Sequence, residues 1–140
     1  VSAYSHPNPP EITAMAKKAK LKTFVAIYLG SESGSMMKKW AAFDRKTRQQ
    51  KEAEAITAWH AWAKKNKKSI VEMGNPLGAT LRADRKGIRK TSNAMTGFTI
   101  VKAKTHKSAA KLFADHPHFM LFPGEAIEIM ECLEIPGMPE

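Results

Sequence analysis

Residues 22–29, KTFVAIYL, decide the fold. Successive strand side chains point to opposite sides, so Val25, Ile27 and Leu29 share one face and Phe24, Ala26 and Tyr28 the other. Both sets are apolar and both faces need cover, which is the mark of a central strand. Gly30 closes the strand, and the small polar residues 31–35 read as a loop.

Downstream the period changes. Residues 36–67 are helical in character, with Ile56, Trp59, Trp62 and Ala63 on one stripe and His60 at its margin. Residues 44–51 are almost wholly polar, so a break is expected near Asp44–Thr47. Lys64, Lys65, Lys67 and Lys68 crowd the helix end, where cations face the last carbonyls. SIVEM (69–73) is a short strand ended by the turn Gly74-Asn75-Pro76. Residues 77–94 are polar and basic, with a weak strand near 79–82 and a turn at 84–87. MTGFTIVKAK (95–104) is the clearest later strand. A short helix follows over 108–115, with Ala109, Leu112 and Phe113 as its apolar side; HPHFMLFPG (116–124) is expected to be a loop and EAIEIMECLEI (125–135) the last strand. Two β-α-β halves in this order predict an α+β, ferredoxin-like split β-α-β sheet with its helices on one face.

Such a sheet leaves its second face bare, and here that face is expected to carry Phe24, Ala26 and Tyr28 in the first strand. An apolar sheet face of that size exceeds what a monomer usually exposes. A second copy packed sheet to sheet covers it, so a homodimer is expected, with any ligand in the hollow between the two sheets.

The 140 residues suffice for one domain, and no apolar stretch is long enough to span a membrane. Residues 1–20, with prolines at 7, 9 and 10, read as an N-terminal extension, disordered or lying upstream of a natural start at Met15; residues 21–140 form the domain. The formal charge is +10, yet the stretch 112–140 has six carboxylates and no Lys or Arg. The surplus cations lie in the extension, a helix end and a loop, without a recognition motif, which argues against nucleic acid as partner. The one cysteine, Cys132, forms no internal disulfide, fits a reducing cytoplasm, and is expected to be buried and inert.

The segments KTFVAIYLG, EMGNPL, TGFTIVKAK, ADHPHF and PGEAIEIMECLEIPGMP, in this order and spacing, resemble the YCII-related (DGPF-type) proteins over residues 21–139. These are small bacterial proteins of the dimeric α+β barrel class. The resemblance implies a ferredoxin-like protomer, a dimer and a cleft, and it names no reaction and no cofactor. In the wider group a His on the long helix and an Asp after the second strand are proposed as a catalytic pair, which points to His60 and Asp84 here.

From the residues themselves, Asp115-His116-Pro117-His118 is the stronger cluster. Proline stiffens the loop, and imidazoles are suited to proton transfer near neutrality. His116 and His118 either face a cleft, where they bind an anion, shuttle a proton or supply half of a tetrahedral metal site, or cap a helix and pack beneath Phe119. Tyr28, Phe98 and Asp115 are candidate ligand-binding residues, as are Arg82 and Arg85, whose basic loop suits an anionic small molecule or is simply solvated. No metal-ligand spacing occurs. The function expected is binding of a small molecule in a dimeric barrel, with cofactor-independent acid/base chemistry through histidines; the alternative is a non-catalytic interaction module with a filled barrel.

Overall fold

The computed structural model describes residues 21–30, 35–120 and 124–137. The expected N-terminal extension lies outside them. The elements are β1 (Lys22–Gly30), α1 (Ser35–Ala42), α2 (Arg45–Lys65), β2 (Ile70–Glu72), β3 (Thr80–Asp84), β4 (Gly87–Thr91), β5 (Met95–Ala103), α3 (His106–Lys111), α4 (Pro117–Met120) and β6 (Gly124–Glu131). Four strands form one sheet in the order β2-β5-β1-β6, every neighbouring pair antiparallel. This is the ferredoxin-like α+β arrangement, with β1 and β5 central and a separate two-stranded hairpin, β3–β4, inserted between β2 and β5.

The helical break falls where polarity placed it. The Asp44 carboxylate accepts from the Thr47 backbone N–H at 2.7 Å and caps α2. Within α2 the inward stripe is Ala55, Trp59, Trp62 and Ala63. Ile56, expected on that stripe, faces outward and is half exposed. The small Ala55 side chain lets the helix approach the sheet, and Ile56 lies about 100° round from it.

Other boundaries also differ, and the helix expected over 108–115 spans His106–Lys111. Pro117–Met120 forms a helical turn inside the expected loop, consistent with proline's fitness for a first helical position. The last strand ends at Glu131 rather than residue 135, after the Cys132 N–H donates to the Thr23 carbonyl at 2.8 Å. Beyond that bond Leu133 and Ile135 are exposed, and so is Cys132, against expectation.

The core lies between the sheet and α2–α3. It comprises Phe24, Ala26, Tyr28, Val101, Trp62, Ala109 and Phe113, with Ile127, Ile129, Trp59 and Leu112 packed against it. The expected sheet faces are therefore reversed: Phe24, Ala26 and Tyr28 point to the helices, and Val25, Ile27 and Leu29 point away. The reason is room. Ala26, Gly97 and Thr99 give the helix-side face small side chains at its centre, and the indole rings of α2 fill that space. Cross-strand register then builds the other face from Met130–Val25–Ile100 and Glu128–Ile27–Phe98, a mostly apolar surface only half buried.

Candidate functional site

The turn after β2 sets the floor of the site. Gly74 has φ +74°, and its α-carbon comes so close to the Phe98 carbonyl that a Cβ would collide with it. Pro76 bridges Gly97, and the Leu77 N–H donates to the Thr96 carbonyl at 2.9 Å. The chain is thereby held along β5, and the Met73 carbonyl meets the Thr99 hydroxyl, which donates to it at 2.8 Å.

From that carbonyl a directional chain of hydrogen bonds crosses the core. The Thr99 hydrogen is spent on Met73, so at the 2.5 Å contact between hydroxyls Tyr28 Oη donates to Thr99 Oγ1. His116 Nε2 stands 3.4 Å from Tyr28 Oη. The other nitrogen of that ring, Nδ1, accepts from the His118 backbone N–H at 2.9 Å, so in the neutral ring the proton sits on Nε2 and points to Tyr28. His118 Nε2 donates to the Leu29 carbonyl at 2.7 Å.

Aromatic rings enclose the chain. His116 is 0% exposed. Its ring meets Trp59 edge-on at 4.4 Å between centroids and Trp62 at 4.5 Å, with Tyr28 at 5.0 Å and Phe113 at 5.8 Å. The Trp62 indole N–H is tied to the Leu112 carbonyl at 2.8 Å, which fixes that wall. Burial pushes the His116 pKa down to about 3, and repulsion from a charged His118 adds to the effect. His118 is lowered too by burial, opposed by the carbonyls of Leu29 and Ala126, which favour its protonated form. Burial raises Tyr28 to about 12, the Thr99 hydrogen bond opposing. The resting cluster is neutral throughout.

The structure brings together His116, His118 and Tyr28, and adds Thr99, Trp59 and Trp62. It places them under the helices, on the opposite side of the sheet from the face expected to line a cleft. Phe98 lies on that other face, paired with Ile27. Asp115 is exposed just before the loop. His60 is exposed on α2, while the Asp84 carboxylate accepts the Lys86 N–H at 2.9 Å and pairs with Arg89 at 2.7 Å and Arg82 at 3.2 Å; no bond joins it to His60 among the described residues. The Lys86 N–H first, then Arg89, hold the Asp84 pKa below the usual carboxylate range. Arg85 is exposed in the same turn. Thr99 was legible only as a β-branched strand residue, because its role depends on a carbonyl 26 positions earlier. His106, also unforeseen, stacks on Phe24 and reaches the Ile129 carbonyl at 2.6 Å, bracing α3 against β6.

No protein-family profile and no curated protein matches the chain. Among solved structures, 5-chloro-2-hydroxyhydroquinone dehydrochlorinase (TftG) from Burkholderia phenoliruptrix AC1100, in complex with 2,5-dihydroxybenzoquinone, is similar at 17% identity and TM-score 0.45, over 77% of this chain and 90% of that one. No helix among the described residues is long and apolar enough to cross a membrane.

Proposed function

We propose that the protein is a YCII-like homodimer, paired through the Val25–Ile27–Phe98–Ile100 sheet face, that binds a small planar molecule and transfers a proton without a cofactor. His118 is the working base. The observation that carries this is its position: a buried imidazole with a lowered pKa, unprotonated near neutrality, beside two carbonyls that stabilise it once protonated. His116, with Nδ1 accepting from the His118 N–H and Nε2 carrying the hydrogen, acts as a positioning residue that holds Tyr28, whereas His118, donating through Nε2 to Leu29, keeps Nδ1 without a hydrogen. Trp62 is packed against Phe113 and His116, and the half-buried Trp59 indole beside it offers stacking surface to a planar ligand. His60, Asp84, Asp115, Arg82 and Arg85 stand outside this assignment.

The test is imidazole NMR of the full chain during titration with small phenols, aryl carboxylates and enolisable keto acids, with turnover assayed alongside. Binding shifts the His118 ring signals, and His118→Gln abolishes turnover while leaving the backbone spectrum intact. A second reading, a non-catalytic module with a filled core, is favoured by one observation: every described buried polar side-chain atom has a partner. Imidazole signals unmoved by any of these compounds decide for it.

A further inference from the structure

The β3–β4 hairpin has two unlike faces. Register pairs Leu81 with Lys90 and Ala83 with Ile88 on one, and Thr80 with Thr91, Arg82 with Arg89 and Asp84 with Gly87 on the other. The second face is self-contained, because Asp84 pairs with both Arg82 and Arg89. The first is apolar and uncovered: Leu81 is 66% and Ile88 75% exposed, and Arg85 and Lys86 stand exposed at the tip. An isolated two-stranded ribbon is at best marginally stable in water, and a bare apolar face on it calls for a covering surface.

Register places this hairpin beyond the Gly30 end of the sheet, since Met95 pairs with Leu29 and Pro76 bridges Gly97. The corner between α1 and α2 lies at the same end. β2 follows α2 and starts opposite Val101, which pairs with Phe24 near the other end, so α2 runs away from the Gly30 end. Residues 38–51 hold six cations and 80–91 five, each stretch with a single aspartate. Both aspartates are already engaged, Asp44 as the cap of α2 and Asp84 with its two arginines. All five arginines of the chain fall in these two stretches. Guanidinium is the side chain best suited to gripping phosphate oxygens two at a time.

Apolar side chains set among cations match an anionic phospholipid surface. Leu81 and Ile88 offer no π-face to a nucleic-acid base and no donor to a phosphate, and they gain only by leaving water. The hairpin of a second copy is a poor cover, because like charges would meet across the contact. We infer that the hairpin docks on an anionic phospholipid surface: Leu81 and Ile88 enter the boundary between headgroups and acyl chains, while Arg85, Lys86 and Lys90 meet lipid phosphates. Docking of this kind needs no membrane-spanning segment.

Co-sedimentation of the full chain with vesicles of equal parts phosphatidylglycerol and phosphatidylcholine tests it. The parent binds these vesicles and not pure phosphatidylcholine, and added salt weakens the binding. Leu81→Ser with Ile88→Ser, which leaves the charge unchanged, weakens binding at least about fivefold. Arg85→Glu with Lys86→Glu weakens it at least about tenfold. The same reversal at the other end of the molecule, Lys64→Glu with Lys65→Glu, changes it by no more than about threefold, because those charges lie beyond the screening length from the contact. All six side chains are exposed, so the fold, followed by circular dichroism, is retained. A parent that ignores the phosphatidylglycerol vesicles overturns the inference. So does a serine variant that binds like the parent, or an equal loss from the two charge reversals. Oligouridylate binding as tight as vesicle binding and untouched by the serine changes would also overturn it, assigning the cations to nucleic acid.

Discussion

The backbone N–H of His118 donates to Nδ1 of His116 at 2.9 Å, so the second histidine of the loop fixes the tautomer of the first. Once Nδ1 is engaged, Nε2 carries the hydrogen and faces Tyr28, whose own hydrogen goes to Thr99 and from there to the Met73 carbonyl. Five residues from four regions of the chain are thus ordered by one direction of donation. Protonating His116 would set an N–H against an N–H, which adds to the cost of burying a charge.

Acid stability follows from that. The folded pKa of His116, about 3, lies below its unfolded value of 6.5, so the unfolded chain takes up a proton first as pH falls. Its contribution is intact above 6.5, declines as pH drops below it, and is exhausted near 3. The loss between pH ~6.5 and ~5 is up to about 2 kcal/mol, less where water enters as the core loosens, and His118 adds to it in the same sense. Urea midpoints across that range check this. In His116→Gln the slope shrinks to the part carried by His118, although the variant is less stable overall.

Tyr28 gives the alkaline counterpart. Its folded pKa is raised to about 12, so the unfolded chain loses the phenolic proton first as pH climbs past 10, and stability declines from there towards 12. The sequence has two tyrosines, at 4 and 28. In Tyr4→Phe, phenolate absorbance is expected to stay absent at pH ~10.5, where an unperturbed tyrosine is mostly ionised. Thr99→Val removes the hydroxyl that receives the phenol hydrogen and costs about 1–3 kcal/mol by denaturation.

The turn behind Met73 tolerates no side chain at Gly74. Gly74→Ala combines a left-handed backbone, φ +74°, with a collision against the Phe98 carbonyl, and β2 must move away from β5. A loss of about 2–4 kcal/mol is expected. Gly78→Ala, where a Cβ meets nothing within contact range, is the control and changes stability by no more than about 0.5 kcal/mol. Thermal unfolding of the pair measures the difference.

The first strand and the helix break were legible because alternation in KTFVAIYL and the polar stretch after Asp44 are local signals. Which face of β1 turns inward was not. Both faces are apolar, so the choice fell to Ala26, Gly97 and Thr99, whose small size matters only after β5 is paired and the α2 indoles arrive. The same holds for the site. His116 and His118 stood out as a motif, but whether they face a cleft or the core depends on Leu29 and Tyr28, 89 and 88 positions away. The amphipathic hairpin was half visible: a weak strand and a turn were legible, whereas β4 was hidden by its Arg and Lys residues, which read as loop.

Gly124 is where the last strand and the histidine loop meet. It pairs with Gly30 at the end of the β1–β6 ladder, and a Cβ placed on it would collide with the His118 ring. Gly124→Ala therefore drives the imidazole off the Leu29 carbonyl, or the strand end off β1, at an expected cost of about 2–3 kcal/mol. His118→Ala alone costs a similar amount by losing that hydrogen bond and leaving a cavity. The two changes act on one contact. In the double variant the alanine at 124 meets no ring, so its added cost falls to about 1 kcal/mol or less, a coupling that a double-mutant cycle by urea denaturation resolves. Strict additivity would mean that the ring and the strand end are independent, and that His118 is not seated by Gly124.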